Sequence, residues 1–248
     1  MTSFLALPVG SFSSTVLYAF NTSDFFGKAV VIILVAGSVL AWSIMLTKAR
    51  EFGRARAESR RFLAAYRREG HPLALYVQGR TYPGPLGTVY RLACDAVLKD
   101  TGTRIRNAEL FVAPGSSGTA IQLSAFELST ARKIAERSAL DTTAELEENM
   151  GLLATSVTAA PFLGLLGTVW GVLDAFRAMA QTGSVMLSEV APGISGALLT
   201  TVVGLLVALP SLIGYNLLTN QIRRLAVAMD NFAEEFNHDL ERTFLQRP

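Results

Sequence analysis

Residues 190–216 of the chain read VAPGISGALLTTVVGLLVALPSLIGYN and contain no charged side chain. They lie inside a longer uncharged run of thirty-three residues that extends from Val190 to Ile222. A helix needs about 20 mostly apolar residues to cross about 30 Å of bilayer hydrocarbon. The run is therefore long enough for one complete crossing, and we place a transmembrane helix at residues 193–218.

Two further stretches of the sequence have the same property. Ala29 to Leu46 has eighteen residues without a charge, and Asn149 to Leu173 has twenty-five. Their lengths match the same bilayer thickness. The sequence therefore predicts two more transmembrane helices, at residues 27–47 and 149–177, and hence an all-α integral membrane protein with three spans and long cytoplasmic helical extensions.

The overall composition supports this fold class and argues against several functions. Half of the chain is apolar and 17% is charged, whereas soluble domains carry about 25% charged residues. A net charge of +2 is too small to indicate a nucleic-acid partner. One cysteine and two histidines favour neither an internal disulfide nor a zinc cluster. Because the long loop presents no nucleophile–base pair and no metal-ligand set, we expect no enzyme activity, metal or cofactor.

The distribution of Lys and Arg predicts the orientation of the spans, since basic loops stay in the cytoplasm. Residues 48–68 contain eight basic residues, whereas the segment before Lys28 contains none. The predicted organisation is an external N-terminal segment at 1–26, a cytoplasmic helical loop at 48–148, an external loop at 178–192 and a cytoplasmic helical tail at 219–248.

An apolar stripe continues from the last span into the tail. Its members recur at spacings of three and four residues, which places them on one face of a helix: Leu218, Ile222, Leu225, Met229, Phe232, Phe236 and Leu240. Such a stripe must be buried against another surface. Because one chain with three spans offers little surface for it, we expect neighbouring copies of the same chain to cover it.

Small residues mark one face of each of the last two spans. They let helices approach closely in lipid, and we assign helix packing to six of them: Gly164, Gly167, Gly171, Gly196, Gly204 and Ala208. Pro161 and Pro210 lie inside the same spans, where each removes a backbone hydrogen bond. We expect both prolines to kink their helices.

Three hydroxyl groups lie among these small residues, at Thr168, Thr200 and Thr201. A threonine in a membrane helix often donates to its own i−4 carbonyl; the alternative is that these hydroxyls line a narrow polar path. Two acids lie near the ends of the second span. Asp174 and Glu148 are either solvated residues at the membrane surface or groups through which protons enter and leave.

Two strings on the last two spans are specific when they occur together: APFLGLLGTVWG at residues 160–171, and the run from VAPGI to YN quoted above. With them, nearly the whole chain resembles the TolQ/ExbB/MotA proton-channel family, and it is most similar to the TolQ and ExbB members. The tail string MDNFAEEF at residues 229–236 is more similar to TolQ, whereas LLATSVTAAPFLG at residues 152–164 is more similar to ExbB.

The resemblance implies an assembly in the bacterial inner membrane. Five copies of the chain would form a ring around a pore built from the second and third spans. Two copies of a TolR- or ExbD-like partner would each place one helix in that pore, with an aspartate that accepts a proton. Thr168, Thr201 and Thr200 would line the pore. Protonation cycles would then drive mechanical work on a TolA- or TonB-like protein that spans the periplasm.

One position departs from the family pattern. Similar proteins carry a glutamate five residues before the threonine that matches Thr201, and this chain has Gly196 there. The departure leaves two functions open: a proton-conducting motor subunit, or a non-conducting oligomeric scaffold that only anchors its partner. Protons are the expected ion, because they need only a carboxylate with hydroxyls or water, whereas sodium needs several convergent oxygens.

Overall fold

The fold is that of a computed structural model, which describes residues 9–100, 123–182 and 187–244. Within those ranges every regular element is a helix. In chain order the helices are α1 (Val9–Thr22), α2 (Phe25–Tyr66), α3 (Ala74–Val77), α4 (Pro85–Asp100), α5 (Ala125–Glu147), α6 (Met150–Thr182) and α7 (Leu187–Phe244). The predicted all-α class is confirmed, and the ring of five copies stays a prediction.

Three of the helices are long and apolar enough to cross a membrane, in agreement with the three uncharged runs. They are α2, α6 and α7, whose most apolar windows have mean hydropathies of 2.6, 1.7 and 2.2. Only 28%, 22% and 44% of those windows is buried within the chain, so much of each apolar surface faces outward. Water would disfavour such extensive apolar surfaces, whereas lipid or a protein partner covers them.

The helices extend beyond the predicted spans. α6 continues to Thr182 and α7 begins at Leu187, so helix occupies most of the segment 178–192 that the sequence predicts as an external loop. Residues 183–186 lie outside the described part of the chain. The length of an uncharged run indicates only the part of a helix that lies in hydrocarbon. Good helix formers such as Ala178 and Met179 continue the helix beyond that part.

The chain divides into two compact units. The first comprises Met1–Thr47 and Asn149–Leu217, and the second comprises Lys48–Glu148 and Leu218–Pro248. The divisions fall within one residue of the predicted span ends at 47, 149 and 218, although where the membrane begins and ends stays a prediction.

In the first unit the core lies where α2, α6 and α7 meet. Its buried members are aliphatic, and partly buried apolar side chains pack around them: Val30, Leu34, Ala160, Val207 and Ala208, with Phe26, Leu163 and Val203. Small residues at the contact let the helix axes approach closely, as in other membrane helix bundles. The larger apolar side chains of the same helices point outward, for example Ile33, Leu166 and Leu206.

In the second unit the core is aromatic. Phe62 and Tyr66 from α2, Tyr90 from α4, and Phe232 and Phe236 from α7 are all buried. The ring centroids of Phe62 and Phe232 are 5.0 Å apart, and those of Tyr90 and Phe236 are 5.6 Å apart. Both pairs meet edge to face, a favourable arrangement for aromatic rings. Large interlocking side chains therefore connect α2, α4 and α7 in this unit.

The apolar stripe of the tail belongs to this aromatic core. Each of its seven members is 6% exposed or less within a single chain. The expectation that neighbouring copies cover the stripe is therefore wrong. Phe62 and Tyr66 of α2 and Tyr90 of α4 pack against its aromatic members, Phe232 and Phe236, and the spacing of the stripe does not identify these partners.

Local signals set the helix ends in the second unit. At the start of α5, the Ser124 hydroxyl accepts the Glu127 backbone N–H, and the Glu127 carboxylate accepts the Ser124 N–H at 2.6 Å. This capping box satisfies two otherwise free helix donors. Gly84, with φ of 95°, makes the turn that precedes α4 in a conformation that disfavours other residues. Pro85 then begins α4, where its missing N–H costs nothing.

Candidate functional site

Three threonine hydroxyls converge in the first unit, where α6 packs against α7. The Oγ1 atoms of Thr168 on α6 and Thr201 on α7 are in direct hydrogen-bonding contact. The Oγ1 of Thr200 lies 3.5 Å from that of Thr168. The backbone carbonyls of Gly164 and Ala197 also belong to the cluster, since these hydroxyls donate to them. Polar oxygen atoms thus meet within the uncharged parts of two helices.

Each hydroxyl of the cluster has alternative hydrogen-bond partners. Thr168 donates to Gly164, its own i−4 carbonyl, at 3.1 Å, or to Ala197 across the helix contact at 3.2 Å. Thr200 donates to Ala197 at 2.7 Å or to Gly164 at 2.9 Å. Thr201 donates across the contact to Gly164 at 3.1 Å. Because a hydroxyl has one proton and two lone pairs, the protons of this cluster can be redistributed without moving the backbone.

The three hydroxyls differ in their access to the protein surface. Thr168 and Thr201 are partly exposed, whereas Thr200 is 0% exposed. Within one chain, Thr200 makes a polar contact between α6 and α7. The lining of a pore by Thr168, Thr201 and Thr200 stays a prediction.

Small residues bring α6 and α7 into backbone contact around the cluster. A Cβ added to Gly164 would lie 2.8 Å from the carbonyl oxygen of Thr200, and one on Gly204 would lie 2.6 Å from that of Ala160. Cβ atoms in folded proteins do not approach other atoms closer than 3.0 Å. Gly167 and Gly171 are in equally close contact, and Ala208 belongs to the aliphatic core. Larger residues at these glycines would push the helices, and the hydroxyls between them, apart.

Proline residues lie inside both helices of the site. α6 continues through Pro161, and α7 continues through Pro210 as well as through Pro192. Each proline lacks the N–H that would bond to the carbonyl one turn earlier. The kinks expected at Pro161 and Pro210 stay predictions.

Gly196, in contrast, packs against the segment that joins α1 to α2. A Cβ at this position would lie 2.6 Å from the Oγ of Ser23, 2.9 Å from its Cα and 3.1 Å from the carbonyl oxygen of Ala19. Ser23 is buried, and its hydroxyl donates to that same carbonyl at 2.6 Å. The volume that a glutamate side chain would need at residue 196 is therefore filled by the N-terminal segment. Only the glycine itself marks this contact in the sequence.

Asp174 lines a cavity of about 300 Å³ in the first unit, and it shares this cavity with a second carboxylate. That carboxylate belongs to Asp24, which also accepts the backbone N–H of Gly27 at 2.8 Å and so caps the start of α2. Thr22 adds a hydroxyl to the cavity wall. The sequence does not indicate that Asp24 and Thr22 lie near Asp174, because they are remote from the second span along the chain.

Glu148, the other acid predicted near a span end, lies in the second unit. Its backbone N–H donates to the carbonyl of Glu145 at 3.2 Å, where α5 ends. Its side chain is exposed to solvent. This environment suits a solvated helix end, and its role in proton exit stays a prediction.

One known protein family matches the part of the chain that contains this site. The model of the MotA/TolQ/ExbB proton channel family matches residues 117–231 of the chain, a range that contains the whole threonine cluster. The match also contains all six small residues assigned to helix packing in the last two spans.

Individual proteins similar to this chain are named TolQ or ExbB, two of the names in the family's description. Over 230 residues, covering 90% of this chain and 94% of the relative, the chain is 29% identical to the Tol-Pal system protein TolQ of Haemophilus influenzae. It is 40% identical over 98 residues to the Tol-Pal system protein TolQ of Pseudomonas aeruginosa, and 49% identical over 72 residues to the biopolymer transport protein ExbB of Salmonella typhimurium. Those two matches cover 42% and 30% of the relatives. The resemblance seen in the sequence is confirmed.

Proposed function

We propose that this chain, a homologue of the TolQ and ExbB proteins of the MotA/TolQ/ExbB proton channel family, is a stator subunit that converts the proton motive force into mechanical work. The observation that carries the proposal is the Thr168–Thr201 hydroxyl pair, which is partly exposed on apolar helices. Such a pair offers both a donor and an acceptor to a group that binds and releases protons.

The acid that carries the proton comes from a partner. The run from Asn149 to Leu173 and the run from Val190 to Ile222 contain no acid. A single-span TolR- or ExbD-like protein supplies the missing carboxylate as an aspartate in its membrane helix. A charged carboxylate at mid-membrane is costly, so it is either protonated or met by polar groups such as Thr168 and Thr201.

The energy available for this cycle is sufficient for a mechanical switch. One proton that crosses a potential of 100 mV releases about 2.3 kcal/mol, which biases a two-state equilibrium by more than ten-fold. In the proposed cycle, protonation of the partner's aspartate weakens its contact with one hydroxyl pair and allows the partner helix to move to the next. A TolA- or TonB-like protein that spans the periplasm then receives this motion.

The proposed assembly contains five copies of this chain and two of the partner, in a bacterial inner membrane. The outward-facing apolar surfaces of α6 and α7 supply contacts for neighbouring copies and for lipid. The basic residues at 48–68 support an orientation with that segment and the C-terminal tail in the cytoplasm and the N-terminus outside. In this orientation the carboxylates of Asp24 and Asp174 lie on the external side, where they attract protons or other cations toward the pore.

The native mass of the complex tests the assembly. The full-length chain is purified alone and after co-expression with the single-span protein that carries a membrane aspartate, and each sample is weighed intact. Five copies alone, and five with two partner chains on co-expression, are the expected result. A stable monomer or dimer whose mass does not change when the partner is present would contradict the stator proposal.

The contact between Gly196 and Ser23 favours a second candidate, the non-conducting scaffold. The place where similar proteins have a glutamate is filled by Ser23, so a carboxylate is missing from this part of α7. A scaffold needs the close helix packing but not the hydroxyls. Proton flux through the assembled complex, compared with that of variants at Thr168 and Thr201, separates the two functions.

A further inference from the structure

We propose that a groove in the second unit binds the phosphate group of an anionic phospholipid. The groove lies between the second half of α2 and the second half of α7 and encloses about 240 Å³. Its walls combine five side chains that donate hydrogen bonds with an apolar floor: Arg56, Ser59, Arg60, Gln221 and Arg224, with Phe52, Leu63, Leu225 and Ala228. The proposal rests on the proposed orientation, in which this unit is cytoplasmic.

The charges of the groove are unbalanced. Arg56, Arg60 and Arg224 are exposed, and in the described part of the chain none of these three guanidinium groups lies within 4.0 Å of a carboxylate. Other arginines of the unit do have partners, such as Arg67 with Glu235 at 2.9 Å. Three neighbouring cations without counter-charges make a strong site for phosphate, because guanidinium groups bind phosphate oxygens through paired N–H donors.

A buried hydroxyl at the same groove provides independent support. Ser59 is 6% exposed, and among the described residues its Oγ has no hydrogen-bond partner. Burying an unpaired polar group costs roughly as much as losing a hydrogen bond, so folded proteins nearly always supply a partner. Since Ser59 lines the groove, a small rotation of its side chain brings the Oγ to a ligand oxygen there, which satisfies a group that the described residues leave unpaired.

The apolar floor distinguishes a lipid from a free phosphate ion. Leu63 and Ala228 are partly exposed, and together with the buried Phe52 and Leu225 they form this apolar floor. A free phosphate gains nothing from such a floor, whereas the glycerol and first acyl carbons of a phospholipid bury apolar area against it. The lining therefore fits a ligand with a charged head and an apolar body.

The position of the groove along α2 suits a headgroup. Arg56 follows Thr47, the predicted end of the first span, by nine residues, which is about 13 Å of α-helix. Side chains of a helix lean toward its N-terminus, which for α2 is the membrane side, and arginines extend further in that direction to reach the interface. The cytoplasmic leaflet presents anionic headgroups to basic segments that lie next to the membrane.

Native mass spectrometry of the full-length protein tests the proposal. The protein in detergent is equilibrated with dioleoyl phosphatidylglycerol, with dioleoyl phosphatidylcholine, or with phosphatidylglycerol plus millimolar inorganic phosphate. We expect phosphatidylglycerol to be retained at least about ten-fold more strongly than phosphatidylcholine, because both lipids carry the phosphate but the choline cation of the second is repelled by the three groove arginines. Equal retention of the two lipids would overturn the proposal, and displacement by inorganic phosphate would show that the site takes phosphate without a lipid.

A matched pair of triple variants separates the groove from general surface charge. The variant R56Q/R60Q/R224Q removes the three groove arginines, and R54Q/R61Q/R223Q removes three exposed arginines that do not line the groove. Both variants lose the same net charge. We expect the first to lose the preference for phosphatidylglycerol and the second to keep it within about two-fold. An equal loss in both variants would show that the binding is diffuse electrostatic attraction.

Ser59→Ala provides a second readout that leaves all charges in place. In detergent without lipid, the variant should be at least as stable as the parent chain, because it removes an unpaired buried hydroxyl. With phosphatidylglycerol present, it should bind lipid more weakly. A loss of stability without lipid would show that Ser59 has a structural role instead. Lipid retention and stability in detergent are measured without a partner protein and without proton flux. A failure of the lipid proposal therefore leaves the stator proposal intact, and loss of proton conduction would leave the lipid proposal intact.

Discussion

Gly196 on α7 lies directly against Ser23 in the segment between α1 and α2, with a separation that leaves no room for a side chain at residue 196. A Cβ there would meet the Oγ of Ser23 at 2.6 Å and its Cα at 2.9 Å. The glycine and the packed N-terminal segment are therefore one structural feature. The position where similar proteins carry a glutamate serves here as a contact for the N-terminal segment.

Gly196→Ala tests this contact. Because the added methyl group must displace the backbone of Ser23, we expect a loss of about 1–3 kcal/mol in unfolding free energy, the usual cost of overpacking. Thermal unfolding in detergent measures it. Gly37→Ala is the matched control, since nothing lies within 4 Å of a Cβ at residue 37, and alanine there should be neutral or slightly stabilising. Equal midpoints for the two variants would contradict the contact.

Gly164→Ala tests the close approach of α6 to α7. Its Cβ would meet the backbone of Thr200 at 2.8 Å and that of Thr201 at 3.0 Å, so the helices must separate. We expect a lower unfolding midpoint together with lost proton flux, because the hydroxyl pair separates with the helices. Gly151→Ala, on the same helix in open space, should change neither. Full flux in Gly164→Ala would show that the helix contact does not position the hydroxyls.

Tyr66→Phe tests the buried hydrogen bond of the aromatic core. The Tyr66 hydroxyl donates to the Asp239 carboxylate at 2.8 Å, and burial together with this bond raises the pKa of Tyr66 above its ordinary range. Removing the hydroxyl leaves a carboxylate without its donor, so we expect a loss of about 1–3 kcal/mol in chemical denaturation.

The neighbouring ion pair serves as the comparison. Arg67 and Glu235 form a two-pronged contact at 2.9 Å, but the Arg67 side chain is 63% exposed. Exposed pairs contribute about 0–1 kcal/mol, so Arg67→Gln should be much milder than Tyr66→Phe. The reverse order of the two losses would mean that the surface pair, rather than the buried bond, holds the tail to α2.

Cys94 should be unreactive in the folded protein. It is fully buried, and burial raises the pKa of its thiol well above the ordinary value of 9.0. The thiol therefore stays protonated at pH 8, and a maleimide reagent should label the folded chain far more slowly than the chain unfolded in denaturant. Rapid labelling of the folded chain, followed by mass, would show that α4 is not packed as described.

The same pKa shift predicts a pH dependence. A thiol whose pKa is raised by folding stabilises the protein fully below its unfolded value, and this contribution is lost as the pH rises. The raised pKa values of Tyr66 and Tyr90 act in the same direction. The unfolding midpoint of the second unit should therefore fall above about pH 9. A midpoint that rises between pH 9 and pH 11 would be inconsistent with neutral, buried side chains at these positions.

The membrane helices can be predicted from the sequence because the thickness of the hydrocarbon sets a minimum length for an uncharged run. A run without charge, such as that from Val190 to Ile222, is sufficient to predict a span, whichever residues pack beside it. The proximity of Thr168 to Thr201 follows almost as directly, since small residues on both helices indicate the faces that meet.

Contacts between distant segments could not be predicted in the same way. The spacing of Phe232 and Phe236 shows that the tail has a buried face, but it carries no information about the partner, which is Phe62 and Tyr90 in the same chain. Likewise, a glycine at residue 196 indicates close packing without identifying Ser23. A pattern of period 3.6 specifies a face of a helix, whereas the identity of the opposing surface depends on the whole fold.

Proton flux through the assembled complex tests the central claim most directly. The chain and its single-span partner are reconstituted in liposomes with a pH-sensitive dye inside, and a potential is applied. Thr168→Val and Thr201→Val keep nearly the same side-chain volume but remove the hydroxyls, so we expect assembled complexes whose flux is reduced by about ten-fold or more. Unchanged flux in both assembled variants would contradict a conducting role for the hydroxyl pair. No flux in the parent complex, with assembly intact, would favour the scaffold.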